Sequence, residues 1–315
     1  MILNDIFNFH DNKLRKLKCD IKSLSHSIWG AFIMKKYHFI LLKKSQIINS
    51  LKLILIVSLL ITLSIIFLTS KFGSKSLNAY NIAPLPECDN PCGKLAIVID
   101  DFGQDRNGVK EMMAIKRHLT FAVMPFLTYS QSDAKEAYEN GFEVIVHLPM
   151  EPMKGKISWL GPKPILSTLS DSEVYQITSE AFADVPYAVG ANIHMGSKIS
   201  TDDRIMSDVL DVIKEKGVYF LDSKTSAKSV AKKIADEKAV PFYERNTFLD
   251  GQTSKEHVKE QLRKAGEIAL KDGKSVAIGH VGIEGGKVTA QAIAEMLPEF
   301  DAKNIQLVFV SELKN

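Results

Sequence analysis

Five stretches of the sequence end an apolar run on a side chain that can move a proton or bind a metal. They are IVIDDFG with Asp100 and Asp101, VIVHLPMEP with His147 and then Glu151, NIHMGS with His194, FLDSKT with Asp222, and AIGH with His280. Taken singly, each has a plain structural explanation. Adjacent aspartates suit a helix N-cap or a solvated turn, and His147 suits a hydrogen-bonded core histidine. Taken together, three imidazoles and several carboxylates at the ends of apolar runs point to metal-assisted hydrolysis. Such a site uses about three N/O ligands and keeps one position for water, whose pKa the metal lowers to about 7. A carboxylate then acts as general base and a histidine protonates the leaving group. One aspartate with two histidines suits zinc best, with iron, cobalt and manganese as alternatives.

The elements that carry these residues alternate. Strand-like runs fall at 95–99, 119–126, 142–148, 188–194, 218–222, 239–244, 275–280 and 305–310. Helical patterns lie between them at 133–140, 171–183, 203–216, 226–237, 255–271 and 287–300. Near-continuous apolar strands separated by helices predict a parallel sheet covered on both faces. Eight such units predict a closed or nearly closed (β/α) barrel, whose active site lies at the C-terminal strand ends. An open doubly wound sheet is the competing fold. No glycine-rich phosphate fingerprint follows the first strand, which argues against its dinucleotide-binding form.

Over residues 94–313 the sequence resembles the divergent polysaccharide deacetylases, relatives of the NodB-homology carbohydrate esterases. The resemblance rests on IDDFG, HLPMEP, HMGS, FLDSKT and IGH in that order. It implies a distorted (β/α) barrel that removes acetyl groups from a sugar polymer. It further implies that Asp100 is the general base, Asp101 a metal ligand and His280 the acid. His147 fits the first metal histidine of the NodB-type H-x-x-x-H pair. Glu151 stands where the second is expected, as a catalytic carboxylate, an oxygen ligand or a group orienting a histidine. His194 is the candidate for the missing imidazole. Three departures accompany the match: no arginine-proline motif, Ile193 in place of an asparagine before His194, and Val281 after His280. They leave open a non-catalytic envelope protein that binds glycan or a protein partner through the same barrel.

The rest of the chain bears on location. Residues 53–70 form an eighteen-residue run without a charge, long enough as a helix to cover roughly 27 Å of bilayer. Lys35, Lys36, Lys43, Lys44 and Lys52 precede it, and only Lys71 and Lys75 follow closely. That asymmetry predicts a cytoplasmic segment 1–52, an anchor 53–70, a linker 71–93 and an exported domain 94–315 on the periplasmic side of the inner membrane. No small-residue cleavage site follows the run, so a retained anchor is expected. Met34, with Lys35 and Lys36 after it, is an alternative start. Cys88 and Cys92 lie in the linker, where an oxidising compartment would let them pair. A net charge of +3, with lysines spread along the chain, gives no case for a nucleic-acid partner. Finally, residues 151–169 follow the third strand without regular periodicity and should hang over the barrel mouth. Trp159 there suits either sugar stacking or packing, and Lys154, Lys156 and Lys163 suit either an anionic polymer or a solvated loop.

Overall fold

The computed structural model describes residues 93–313. The expected anchor at 53–70 and the Cys88–Cys92 linker lie outside the described residues. Among the described residues, no helix is long and apolar enough to cross a membrane.

Among the described residues, all nine strands belong to one sheet and every pairing is parallel. They are β1 (Gly93–Phe102), β2 (Thr120–Val123), β3 (Glu143–Met150), β4 (Gly190–Met195), β5 (Tyr219–Asp222), β6 (Phe242–Glu244), β7 (Thr247–Phe248), β8 (Lys274–His280) and β9 (Ile305–Val308). The helices are α1 (Val109–Met113), α2 (Ser130–Glu139), α3 (Asp171–Asp184), α4 (Asp203–Lys216), α5 (Ala231–Lys238), α6 (Lys255–Asp272) and α7 (Gly286–Ala302). Local chemistry sets several helix ends. A Ser170–Glu173 capping box starts α3, Asp202 caps α4, and Gly217 ends α4 in a left-handed conformation at φ 68°.

The strand order is β6-β5-β4-β3-β2-β1-β8-β7. Its two outer strands, β6 and β7, are separated in sequence only by Arg245 and Asn246. The Arg245 amide donates to Asp222 O at the end of β5, whereas the Asn246 amide donates to Val276 O on β8. The chain thus leaves one edge of the sheet and joins the other across a single peptide bond. This is how the predicted barrel closes, as a distorted ring with β6 and β7 forming one bent stave. Arg245 staples the seam by donating to Ser223 O at 2.7 Å and Lys224 O at 3.1 Å, with its guanidinium 3.7 Å over the Phe248 ring.

The last predicted strand is not a barrel stave. β9 pairs with Gly93–Ala96 of β1, on the edge that β2 occupies further along. Val310 and Leu313 then join Ala96, Val98, Ala122, Ile145, Tyr219, Leu221, Val276 and Ile278 in the inner core. They plug the N-terminal end of the barrel. A larger outer core, including Leu95, Ile97, Ile99, Val144, Val146, Ala191, Ile193 and Phe220, packs the sheet against the helices. Alternate residues along each strand serve these two cores, and that parity decides which strand-end side chains reach the site.

Candidate active site

On β1, Ala96 and Val98 face inward, so Asp100 does too. Asp101 should then face the helices. Instead its backbone is left-handed at φ 67°, and the pairing with β2 shifts register between Ile99 and Phe102. Aspartate tolerates this region better than most residues because its short side chain bonds locally. The bulge lets two consecutive aspartates serve one cleft. On β3 and β4, His147, Asn192 and His194 share inward parity, and the register sets His147 opposite Asn192. On β8, His280 follows Val276 and Ile278 inward and is paired with Asp100.

Asp101 Oδ1, His147 Nε2 and His194 Nδ1 converge. Oδ1 is 3.3 Å from Nε2 and 3.1 Å from Nδ1, and the two ring nitrogens are 3.1 Å apart. The orientation of His147 is fixed from behind. Its Nδ1 lies 2.6 Å from Asn192 Oδ1, while Asn192 Nδ2 donates to Asp100 Oδ1 at 2.8 Å. The amide can satisfy both neighbours only if His147 Nδ1 carries a hydrogen, which directs Nε2 towards Asp101 and His194. Three atoms that accept hydrogen bonds when unprotonated are therefore gathered at one point, where a ring N–H or a cation between them would relieve the crowding of lone pairs. Burial works against a charged His147, but Asp100 and Asp101 outweigh it and raise its pKa. For Asp101 burial again opposes charge, and the His147 and His194 rings overcome it, holding the carboxyl far below the usual range. Asp101 Oδ1 and His194 Nε2 nevertheless have no aligned hydrogen-bond partner.

Across the cleft, His280 Nδ1 lies 2.8 Å from Asp250 Oδ1, and the His280 amide donates to Asp250 Oδ2 at 2.7 Å. Thr289 Oγ1 donates to the same Oδ2 at 2.9 Å. Burial alone would favour a neutral ring. Asp250, helped by Asp100 and Asp101, instead pushes the His280 pKa up to about 10. Asp100 is raised, because burial outweighs His147, His280 and Asn192. The resulting cleft has a volume of about 250 Å³ and is lined among others by Asp100, Asp101, His147, His194, Phe248 and His280.

Five of the six residues expected to have a role meet here, and Glu151 does not. Its Oε1 takes Lys198 Nζ at 2.6 Å and its Oε2 takes the Ser167 amide at 2.8 Å, while Lys198 also reaches Ser167 Oγ at 2.8 Å. With both oxygens occupied, it ties down the loop at 151–169 instead of adding a ligand. Burial opposes its charge, but Lys198 and Ser167 together prevail, lowering its pKa to about 2. A depressed carboxylate pKa stabilises the fold above the unfolded value, and that contribution is lost as the pH falls through the folded one. The latch should therefore weaken between about pH 4.5 and 2. Glu151→Gln should expose residues 152–164 to limited proteolysis at neutral pH, with the barrel otherwise intact. An unchanged cleavage pattern would count against the latch.

Two members of the site, Asn192 and Asp250, are absent from the sequence expectations. Asp222 is the reverse case: its parity is that of Phe220, so it faces outward, and its Oδ1 accepts from the Lys224 amide at 2.7 Å. At the departure noted above, Ile193 packs in the outer core, and Asn192, one position earlier, lies on the inward face.

The comparisons agree with this fold. Residues 97–314 match the divergent polysaccharide deacetylase family. The chain is 33% identical to the uncharacterized protein YibQ of Escherichia coli K12 over 71% of this chain and 68% of the relative. It is 36% identical to an uncharacterized protein of Haemophilus influenzae over 59% of this chain and 66% of that one. The crystal structure of the uncharacterized protein ATU2773 from Agrobacterium tumefaciens C58 shares the fold, with a TM-score of 0.67 at 21% identity, covering 73% of this chain and 92% of that one. The chain belongs to the divergent polysaccharide deacetylase family.

Proposed function

We propose that the chain is a metal-dependent hydrolase that removes acetyl groups from an envelope polysaccharide. In this reading the segment 53–70 holds it to the inner membrane, with the barrel on the periplasmic side. The observation that carries the chemistry is the Asp101–His147–His194 triangle. Its edges of 3.1 to 3.3 Å suit a tetrahedral ion with ligands at about 2.0–2.1 Å, for which edges near ~3.3 Å follow. Asp101, His147 and His194 would hold a divalent metal, with zinc the best match to two imidazoles and a carboxylate. Bound there, such an ion supplies an activated water and polarises the acetyl carbonyl.

The chain's own residues do the rest. Asp100 anchors Oδ1 on Asn192 and presents Oδ2 on the metal side of the cleft, placed to take the proton of the attacking water. Asp250 holds the His280 ring, so that its proton is available to the departing amine or hydroxyl. Phe248 stacks beside His280, with ring centres 5.9 Å apart, and limits water on that side. The products are acetate and the freed sugar amine or hydroxyl.

Two measurements on the full chain test this reading: divalent metal content, and acetate release across a panel of acetylated glycans. A folded, metal-loaded chain that releases no acetate from any of them would leave only a binding role. Asn192 gives a finer check. Asn192→Ala should weaken metal affinity about 10- to 100-fold, the usual cost of removing a group that orients a ligand, as read by chelator competition.

A further inference from the structure

A cleft of about 250 Å³ is smaller than the ~300–1,000 Å³ of pockets that enclose a whole small-molecule ligand. A polymer presenting one acetyl group to it must therefore lie across the surrounding surface. The loop at 151–169 is the part of that surface built to meet one. Met153, Ile157 and Trp159 are each more than half exposed there, at 58%, 54% and 57%. Large apolar side chains clustered in water mark contact surfaces. This cluster continues into the cleft. A Cβ on Gly155 would stand 2.9 Å from Met195 Cε, 3.3 Å from Pro152 Cγ and 3.7 Å from Trp159 Cε3, and Met195 lines the cleft. Met195, Gly155 and Trp159 thus form one track leading outward. The Glu151–Lys198–Ser167 latch holds this track in place, so little ordering remains to be done on binding.

Charge narrows the occupant. Between Pro152 and Leu169 there are three lysines and no aspartate or glutamate. Lys163 is committed, 2.7 Å from Glu180 Oε2 and 4.7 Å over the Phe126 ring. Lys154 and Lys156 are exposed and have no carboxylate partner among the described residues, and Lys156 Nζ sits 5.9 Å from the Trp159 ring centre. An aromatic plane with one ammonium over it, and a second lysine without a carboxylate partner in the same loop, matches a sugar ring next to negative charge. A bilayer surface fits less well, because Trp159 stands beside Gly155, which itself adjoins Met195 of the cleft lining.

Building on the deacetylase reading, we propose that this loop is an outer binding site for an acidic polysaccharide. Trp159 stacks on one sugar ring, and Lys154 and Lys156 meet carboxylates on neighbouring units.

The chain has two tryptophans, so in a Trp29→Phe background the emission of the full-length chain reports on Trp159. Titration would use an acetylated hexasaccharide bearing carboxylates and, in parallel, an uncharged hexamer of N-acetylglucosamine. The acidic oligomer should bind about tenfold tighter, with an advantage that shrinks as salt screens the lysines. Lys154→Ala combined with Lys156→Ala should abolish the preference. Trp159→Ala, followed by calorimetry, should weaken the acidic oligomer about tenfold. Equal affinity for the two oligomers, or indifference to these substitutions, overturns the proposal. So does a Trp159 emission shift produced by nanodiscs of anionic lipid without glycan, which would make the loop a membrane contact. Binding does not require turnover, so the two readings fail separately. Charge-selective binding without acetate release sinks the hydrolase reading, and acetate release without charge preference sinks this one.

Discussion

His147→Ala should strip the divalent metal from the chain while the barrel stays folded. His147 is the ligand whose direction is most fully determined, since its Nδ1 is taken by Asn192 and its Nε2 has nowhere to point except at Asp101 and His194. Removing a group behind a ligand costs 10- to 100-fold in affinity, so removing the ligand itself should cost more than about 100-fold. Elemental analysis should find about one metal per unmodified chain and a small fraction of that in the variant. Because His147 is buried, its truncation also leaves a cavity, and a thermal melt is needed beside the metal assay. His194→Gln supplies a second route to the same loss at a more accessible position. Retention of stoichiometric metal by a folded His147→Ala chain would remove the proposed centre.

The second large effect belongs to His280. If it supplies the leaving-group proton, His280→Ala should lower kcat for acetate release by about 10²- to 10⁴-fold, the range for a positioned general acid, without altering metal content. Its partner gives the pH signature. Asp250 holds the His280 pKa at about 10, so the protonated acid persists across neutral pH, and activity should fall as the pH rises through that value. The same sign governs stability. A histidine pKa raised on folding stabilises the fold fully below its ordinary 6.5, and that contribution is lost as the pH rises through about 10. Asp250→Asn should bring the alkaline limb down towards the ordinary histidine range. An unmoved limb would mean that another group titrates there.

Much of this arrangement was legible in the sequence because both barrel and site follow from simple periodicities. The apolar runs and intervening helices indicate a parallel barrel, and rules about strand ends locate Asp100, His147, His194 and His280. What stayed hidden depends on parity and register. The tripeptide Phe-Leu-Asp occurs twice, at 220–222 and 248–250. In the first copy Leu221 is the inward residue and Asp222 turns away; in the second Phe248 is inward and Asp250 reaches His280. Nothing in three residues distinguishes them. The difference lies in how a two-residue strand, β7, meets β8 after the seam. Asn192 is not the last residue of its apolar run, although its alternation with His194 places both on one face. Glu151 misled for another reason. H-x-x-x-E spacing continues past the end of β3, where the chain turns into a loop and spacing no longer measures direction. β9 looked like a stave because its composition is that of one, and only pairing shows that it serves as the floor.

Asp101 occupies a place where two demands meet on one side chain. It must be an anion with its oxygen among imidazoles, and it must accept φ 67°. Glycine and asparagine satisfy the backbone but forfeit the charge, whereas glutamate keeps the charge on a residue that resists the left-handed region and carries an extra methylene. The twenty-letter alphabet offers aspartate and little else. A strand that departs from alternation to reach its cleft thereby limits its own freedom to drift. Position 101 should tell a working copy of this barrel from a retired one, since a retired copy keeps the fold's requirement for the turn and drops the requirement for the anion.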